Sequence, residues 1–348
     1  MIIKKAFLFT LLLTIFTTTY TGEEKLGASW HFDVNILRDK KITKQKLLED
    51  GFVQVAFESF SENKNERPIT LQGLFLRKKN TKCTIIFSHG FCPGGKEKFA
   101  PLVKLAPDYC NLLFIELRGH GESEGPHFIS RVKHYGKNEY KDIFGAIKFA
   151  QKETDNKPII IFGWCSGAFH SATTLLKMKN KAKKANVKGL IFDSGFGSLM
   201  EISQVPYFHI RNSFTPGLFV KWYDGDKKRA SQSYICKFTY HFLLKPLMWG
   251  IDLYTKPSIR KREPKTNLYD KISNLYFPTL FIHAADDQYA PWEHVKKLVE
   301  ATPEKELWLI QEGLSTHATN HLKVKMEYKK RMYKFIEKLI TQKRLTKN

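Results

Sequence analysis

From residue 51 onward, short apolar runs alternate with amphipathic stretches. Residues 52–60 and 69–76 alternate apolar and polar positions around a polar turn at 61–67, the pattern of a hairpin. Compact apolar runs follow at 83–88, 112–117, 158–162, 187–192, 279–283 and 307–310, and each reads as a strand. Helical spacing fills the gaps at 96–105, 135–151, 168–178, 292–299 and 322–340. Strands that are apolar on both faces and alternate with helices predict an α/β fold: a mostly parallel central sheet with helices on both sides. The alternation fails at 196–271, a stretch rich in aromatics, with several Pro and Gly and the run Lys227, Lys228, Arg229. It lies between two sheet strands and is too long for an ordinary connection. It reads as an inserted helical cap. Residues 51–195 and 272–348 then form one sheet-based domain, preceded by a polar N-terminal segment at 23–50.

Residues 1–22 have a different character. Lys4 and Lys5 precede an apolar run over 6–16, broken only by Thr10 and Thr14, and small residues follow. The run is too short to span a hydrocarbon core of about 30 Å comfortably as a helix. It reads as an export signal without a clean cleavage pattern, with an uncleaved anchor as the alternative. The expected location is therefore the periplasm, the exterior or the ER lumen, or a membrane-anchored position facing one of them. The five cysteines, Cys83, Cys92, Cys110, Cys165 and Cys236, leave at least one free thiol even in an oxidising compartment.

Composition narrows the classes. Of 348 residues, 42% are hydrophobic and 14% aromatic, which excludes a disordered chain. The formal charge of +23 favours anionic partners. Lys and Arg are dispersed over 177–188, the cap and 323–347, on faces away from the apolar strands. With no stacking motif or recognition-helix signature, nucleic acid is not an expected partner. An anionic membrane surface at the cap is the charge-driven partner that remains. His and Cys do not cluster at ligand spacing, so neither a metal nor another cofactor is expected.

The chemistry is sought where strands end, since ligands of open α/β sheets bind outside the strands' carboxyl ends. After 158–162 comes Gly163-Trp164-Cys165-Ser166-Gly167, which opens a helix. This is the strand–turn–helix setting of a nucleophile elbow, with Cys165 in the nucleophile slot. Small flanking residues permit the sharp turn, and the helix N-terminus favours an anion. Ser166 is a rival nucleophile one residue out of register. A late strand ends in Asp286-Asp287, and an acid here can orient an imidazole. Asp287, four residues before Pro291, is the first choice, with Asp286 and Asp193 as alternatives. His317, in the Gly/Ser loop before the final helix, is the candidate base. His321 and His120 are its rivals, and His120 more readily shapes the loop Arg118-Gly119-His120-Gly121.

The order Cys165, Asp287, His317, with His89-Gly90 upstream and Arg118-Gly119-His120-Gly121 between, resembles the α/β-hydrolase superfamily. It is most similar to the serine-aminopeptidase-like and lysophospholipase-like branch, whose members often carry R-G-H-G and G-W-S-x-G. The resemblance implies an oxyanion hole made by the amides of Phe91 and Ser166, and covalent acyl chemistry on a small-molecule or lipid acyl substrate. Two departures stand out: Cys replaces Ser at position 165, and Glu116 stands where Asp is commoner. Cysteine nucleophiles in this fold are known from dienelactone hydrolase, bile acid-CoA:amino acid N-acyltransferase and polyhydroxyalkanoate synthases. Hydrolysis, acyl transfer and a binding protein that has lost catalysis therefore all remain open. The fold also implies that Cys83 and Cys110 precede neighbouring strands, close enough for a disulfide. Cys92, on the oxyanion loop, could pair with Cys165 and silence it. The cap aromatics Phe214, Phe219, Trp222, Tyr223, Phe238, Tyr240, Phe242 and Trp249 are expected either to line an apolar acyl pocket or to hold the cap to the sheet.

Overall fold

The computed structural model describes residues 43–91, 94–126, 130, 133–202, 234, 238, 242 and 245–341. Residues 1–22, expected to be an export signal, lie outside them, as do Cys92, Cys236 and, within the stretch expected to be a cap, Phe214, Phe219, Trp222, Tyr223, Lys227, Lys228, Arg229 and Tyr240. Among the described residues, no helix is long and apolar enough to cross a membrane.

Eight strands form one sheet: β1 (Val53–Glu58), β2 (Thr70–Leu76), β3 (Cys83–Ser88), β4 (Cys110–Ile115), β5 (Ile159–Trp164), β6 (Val187–Asp193), β7 (Thr279–Ala284) and β8 (Lys305–Ile310). Their spatial order is β1-β2-β4-β3-β5-β6-β7-β8. The hairpin β1–β2 joins β4 antiparallel, and every pair from β4 to β8 is parallel. Strands β3, β4, β5 and β7 are buried at every position, as a sheet covered on both faces requires. Alternate residues feed two cores. Ile86, Ile161 and Phe192 pack on one face, and Phe87, Phe162 and Ile191 on the other. The helices are α1 (Glu139–Glu153), α2 (Ser166–Lys177), α3 (Lys179–Lys184), α4 (Lys245–Thr266), α5 (Trp292–Ala301), α6 (Asn320–Lys323) and α7 (Lys325–Thr341).

Several expected boundaries move. The strand expected at 112–117 begins two residues earlier, at Cys110, so the two cysteines open β3 and β4 as register partners and are bonded. Residues 96–102 form a 3-10 helix containing Pro101 rather than a longer α-helix. The final helix is two pieces, because Val324 breaks the backbone run between α6 and α7. Helix α3, all polar but for the buried Ala182, has no apolar periodicity to announce it.

Glu116, at the end of β4, shows why its length fits. Its carboxylate meets the fully buried Lys96 at 2.9 Å and accepts the Glu122 N–H at 2.9 Å. Gly121 makes the room: its φ is +52°, and a Cβ there would lie 1.9 Å from Glu116 Oε1. Arg118 adds a second clamp, binding Asp142 of α1 through both side chain and backbone N–H. The loop is thus held from both sides. Breaking a buried pair leaves a lone charge, so Lys96→Met should lower stability by about 3–5 kcal/mol, read as a fall in the urea midpoint. Adding Glu116→Gln should recover part of that loss. An unchanged midpoint in the single variant would contradict the clamp.

Candidate active site

Cys165 follows β5 directly and caps α2 with φ 54° and ψ −120°, a backbone setting that a residue with a side chain rarely adopts. The flanking glycines permit it. A Cβ on Gly163 would lie 2.4 Å from Ala168 Cα, and one on Gly167 would lie 2.0 Å from the Ser88 carbonyl. The turn is pinned by the Cys165 N–H donating to the Asp193 carbonyl at 2.9 Å. Cys165 is a free thiol, partly exposed at the head of the helix.

The loop after β8 brings His317 to this turn. His317 Nδ1 lies 2.8 and 3.0 Å from the two oxygens of Asp287, and Cys165 is near enough to act on the same imidazole. Asp287 Oδ1 accepts the N–H groups of Tyr289 and Ala290 as well, which fixes its direction. Burial opposes a charged imidazole. Asp287 and then Cys165 outweigh it and hold His317 well above the ordinary histidine range. Burial also opposes the Asp287 carboxylate, and His317 overcomes that to keep it below the usual range. Both shifts favour an imidazolium paired with the Asp287 carboxylate.

The rivals are placed elsewhere. His321 stacks edge-on against Trp164, and burial pushes it down to about 4. His120 Nε2 lies 2.9 Å from the Phe91 carbonyl, so its ring braces the loop that follows β3. The Ser166 hydroxyl is buried and receives the Tyr135 hydroxyl. Asp286 accepts the Gly313 N–H and so ties down the turn after β8. Gly90 lies against Cys165, since a Cβ there would be 3.1 Å from Cys165 Cβ, and Phe91 follows directly.

Asp193, the third acid candidate, belongs to a separate network. Oδ1 accepts from Ser194 (2.8 Å) and Asn320 (2.7 Å), and Oδ2 from Tyr328 (2.6 Å). Ser194 Oγ in turn accepts the N–H of Ala318, which follows His317 with a φ of 55°. This network holds the histidine loop to the end of β6. Nothing in the sequence marks Ser194, Asn320 or Tyr328 for it. Tyr135 is equally unmarked, being one more apolar position in a helical run.

Of the aromatics expected in a cap, the described Phe238, Phe242 and Trp249 are 59%, 65% and 64% exposed. These three neither line an enclosed acyl pocket nor glue the cap to the sheet. Among the described residues, no group of His, Cys, Asp and Glu could hold a metal ion.

Comparison with known proteins agrees with the topology. Residues 84–227 match the family model described as the alpha/beta hydrolase fold. The chain is 24% identical over 252 residues to the uncharacterised protein YfhR of Escherichia coli (strain K12), covering 70% of this chain and 68% of that protein. It is similar in structure to the Pyrococcus furiosus esterase Pf2001, with TM-score 0.61, 15% identity, and coverage of 93% of this chain and 99% of the esterase. The esterase RhEst1 from Rhodococcus sp. ECU1013 superposes with TM-score 0.52 at 18% identity, covering 82% and 99% of the two chains. The chain has the alpha/beta hydrolase fold.

The environment of Asp193 has a consequence for stability. Burial pushes this carboxyl up to about 6 from its ordinary 3.8, against the pull of its three donors. A raised folded value adds stability that is complete below the unfolded pKa and is lost as pH rises through the folded one. Asp193→Asn keeps the shape without the titration. Between about pH 4 and pH 6 it should flatten the decline in unfolding free energy by up to about 3 kcal/mol, measured by urea titration. An unaltered pH slope would contradict a titrating carboxyl at this position.

Proposed function

We propose that this protein is an acyl hydrolase that acts on an ester, thioester or lactone through a covalent acyl-enzyme on Cys165. The observation that carries the reading is the chain Asp287–His317–Cys165 assembled on the strained turn at the head of α2. The names of the structural relatives, esterases of the same fold, point the same way.

In the proposed cycle His317 holds the proton of Cys165, and Asp287 keeps Nδ1–H directed at itself so that the other ring nitrogen faces sulfur. The sulfur attacks the carbonyl carbon, and the displaced π pair becomes an oxyanion held by the amides of Phe91 and Ser166. Collapse expels the alcohol or thiol, which takes the proton from His317 and leaves a thioester. Water, deprotonated by His317, attacks the thioester and releases the acid and the thiol. Phe91, Ser166, Asp287, His317 and Cys165 are thus the proposed working set, with exposed cap residues outside it. The export pattern at 1–22 would place this activity outside the cytoplasm or at a membrane.

The test is turnover of a panel of aryl esters, thioesters, lactones and lysophospholipids. Wild type should release free acid, and Cys165→Ala should lose at least about 10³-fold in rate. Cys165→Ser reports whether sulfur itself is required. If an added amine or alcohol captures most of the acyl group, the protein is a transferase on the same residues. Turnover that survives Cys165→Ala, or a protein that processes none of the panel, would sink the proposal.

A further inference from the structure

The two residues that supply the proposed oxyanion amides, Phe91 and Ser166, also carry side chains, and both side chains end on Tyr135. The Tyr135 hydroxyl donates to Ser166 Oγ. Its ring meets the Phe91 ring edge to face, with centroids 4.4 Å apart. His170 of α2 closes another side at 4.7 Å, and burial pushes that histidine down to about 3, so it packs as a neutral ring. Tyr135 is itself only 8% exposed.

The backbone of Tyr135 is held from the cap. Its carbonyl accepts Arg262 Nη2 of α4 at 3.1 Å, across 127 positions of sequence. Arg262 Nη1 is fixed in turn by Ser258, one helical turn earlier, at 2.6 Å. Gly136, the next residue, has a φ of +81°, and a Cβ there would lie 2.2 Å from Leu199 Cδ1. The chain on that side of Tyr135 is therefore wedged, and the arginine holds the carbonyl.

We propose that Tyr135 is the positioning residue of the oxyanion pocket, and that Arg262 ties its setting to cap helix α4. This rests on the acyl-transfer reading above. Oxyanion donors act only when they are already aimed at the place where charge develops. One backbone amide follows the Gly90 loop and the other opens α2, so the two sit on separate elements. Tyr135 is the side chain that touches both. It touches the side chains of Ser166, Phe91 and His170 and acts on the site through them. Its effect is to hold the spacing of the two amides, and a movement of α4 reaches that spacing through one hydrogen bond.

The experiment compares two reactions of Cys165 in the full-length protein. Turnover of an ester requires the oxyanion pocket. Alkylation by iodoacetamide does not, because sulfur attacks a methylene carbon and iodide leaves. Tyr135→Phe keeps the ring and removes the hydroxyl. It should lower kcat about tenfold, less than deletion of an oxyanion donor, with KM and the alkylation rate within about twofold of wild type. Ser166→Ala should lower kcat equally, and the double variant should lose no more than either single variant. Arg262→Met should lower kcat in the same direction, again without slowing alkylation. A Tyr135→Phe protein that keeps wild-type kcat, or that loses kcat and alkylation together, would overturn the positioning role. An unchanged kcat in Arg262→Met would overturn the link to the cap. If wild-type Cys165 is alkylated but no ester is turned over, the acyl-transfer reading falls and this inference falls with it.

Discussion

The backbone at Cys165 is the constraint around which the rest is fitted. A non-glycine residue held at φ 54° and ψ −120° costs on the order of 1–3 kcal/mol, and it persists only where its surroundings over-determine it. Here they do. Gly163 and Gly167 leave room for Ala168 and Ser88, and the Asp193 carbonyl takes the Cys165 N–H. In return the sulfur is lifted out of the sheet to the first turn of α2. The parallel strands β5 to β8 then deliver an elbow, Asp193, Asp287 and His317 to one edge.

Two buried carboxylates share that edge and are driven in opposite directions. Asp287 faces His317 and is held below the usual range, while Asp193 faces only neutral donors at bonding distance and is pushed up to about 6. Environment, not residue type, separates the acid that supports charge from the acid that anchors a loop. The histidines divide in the same way. Burial drives His170, His283 and His321 down, His283 even with Asp287 3.9 Å away, while the closer contact of Asp287 with His317, at 2.8 Å, reverses it there. Hydrogen-bond geometry, not residue type, thus sets His317 apart.

Much of the fold is legible in the sequence because β3, β4, β5 and β7 are buried at every position, and such runs stand out from the polar connections. Their ends are less legible. Trp164 and Asp193 continue β5 and β6 past the apolar run, because the ladder between them holds to the last pair. The Gly-flanked turn can be read locally, since its steric demand falls on residues two positions away. The spacing to Pro291 favours Asp287 over Asp286 and Asp193, but its contact with His317 depends on the approach of the loop after β8. Lys96 and Tyr135 are invisible for the same reason. Lys96 finds Glu116 only after the sheet forms, and Tyr135 finds Ser166 and Arg262 across 31 and 127 positions. The outward-facing Phe238, Phe242 and Trp249 show the reverse failure, in which apolar character alone suggested burial.

The central claim is that an acyl group passes through the sulfur of Cys165. Rapid acid quenching of wild type during turnover of a slow aryl ester, followed by peptide mass analysis, tests it most directly. The account predicts the acyl mass on the peptide that contains Cys165, released by hydroxylamine and absent from Cys165→Ala. An acyl group found on Ser166 or on another residue, or steady turnover with no acyl-enzyme when acylation is demonstrably faster than release, would contradict it.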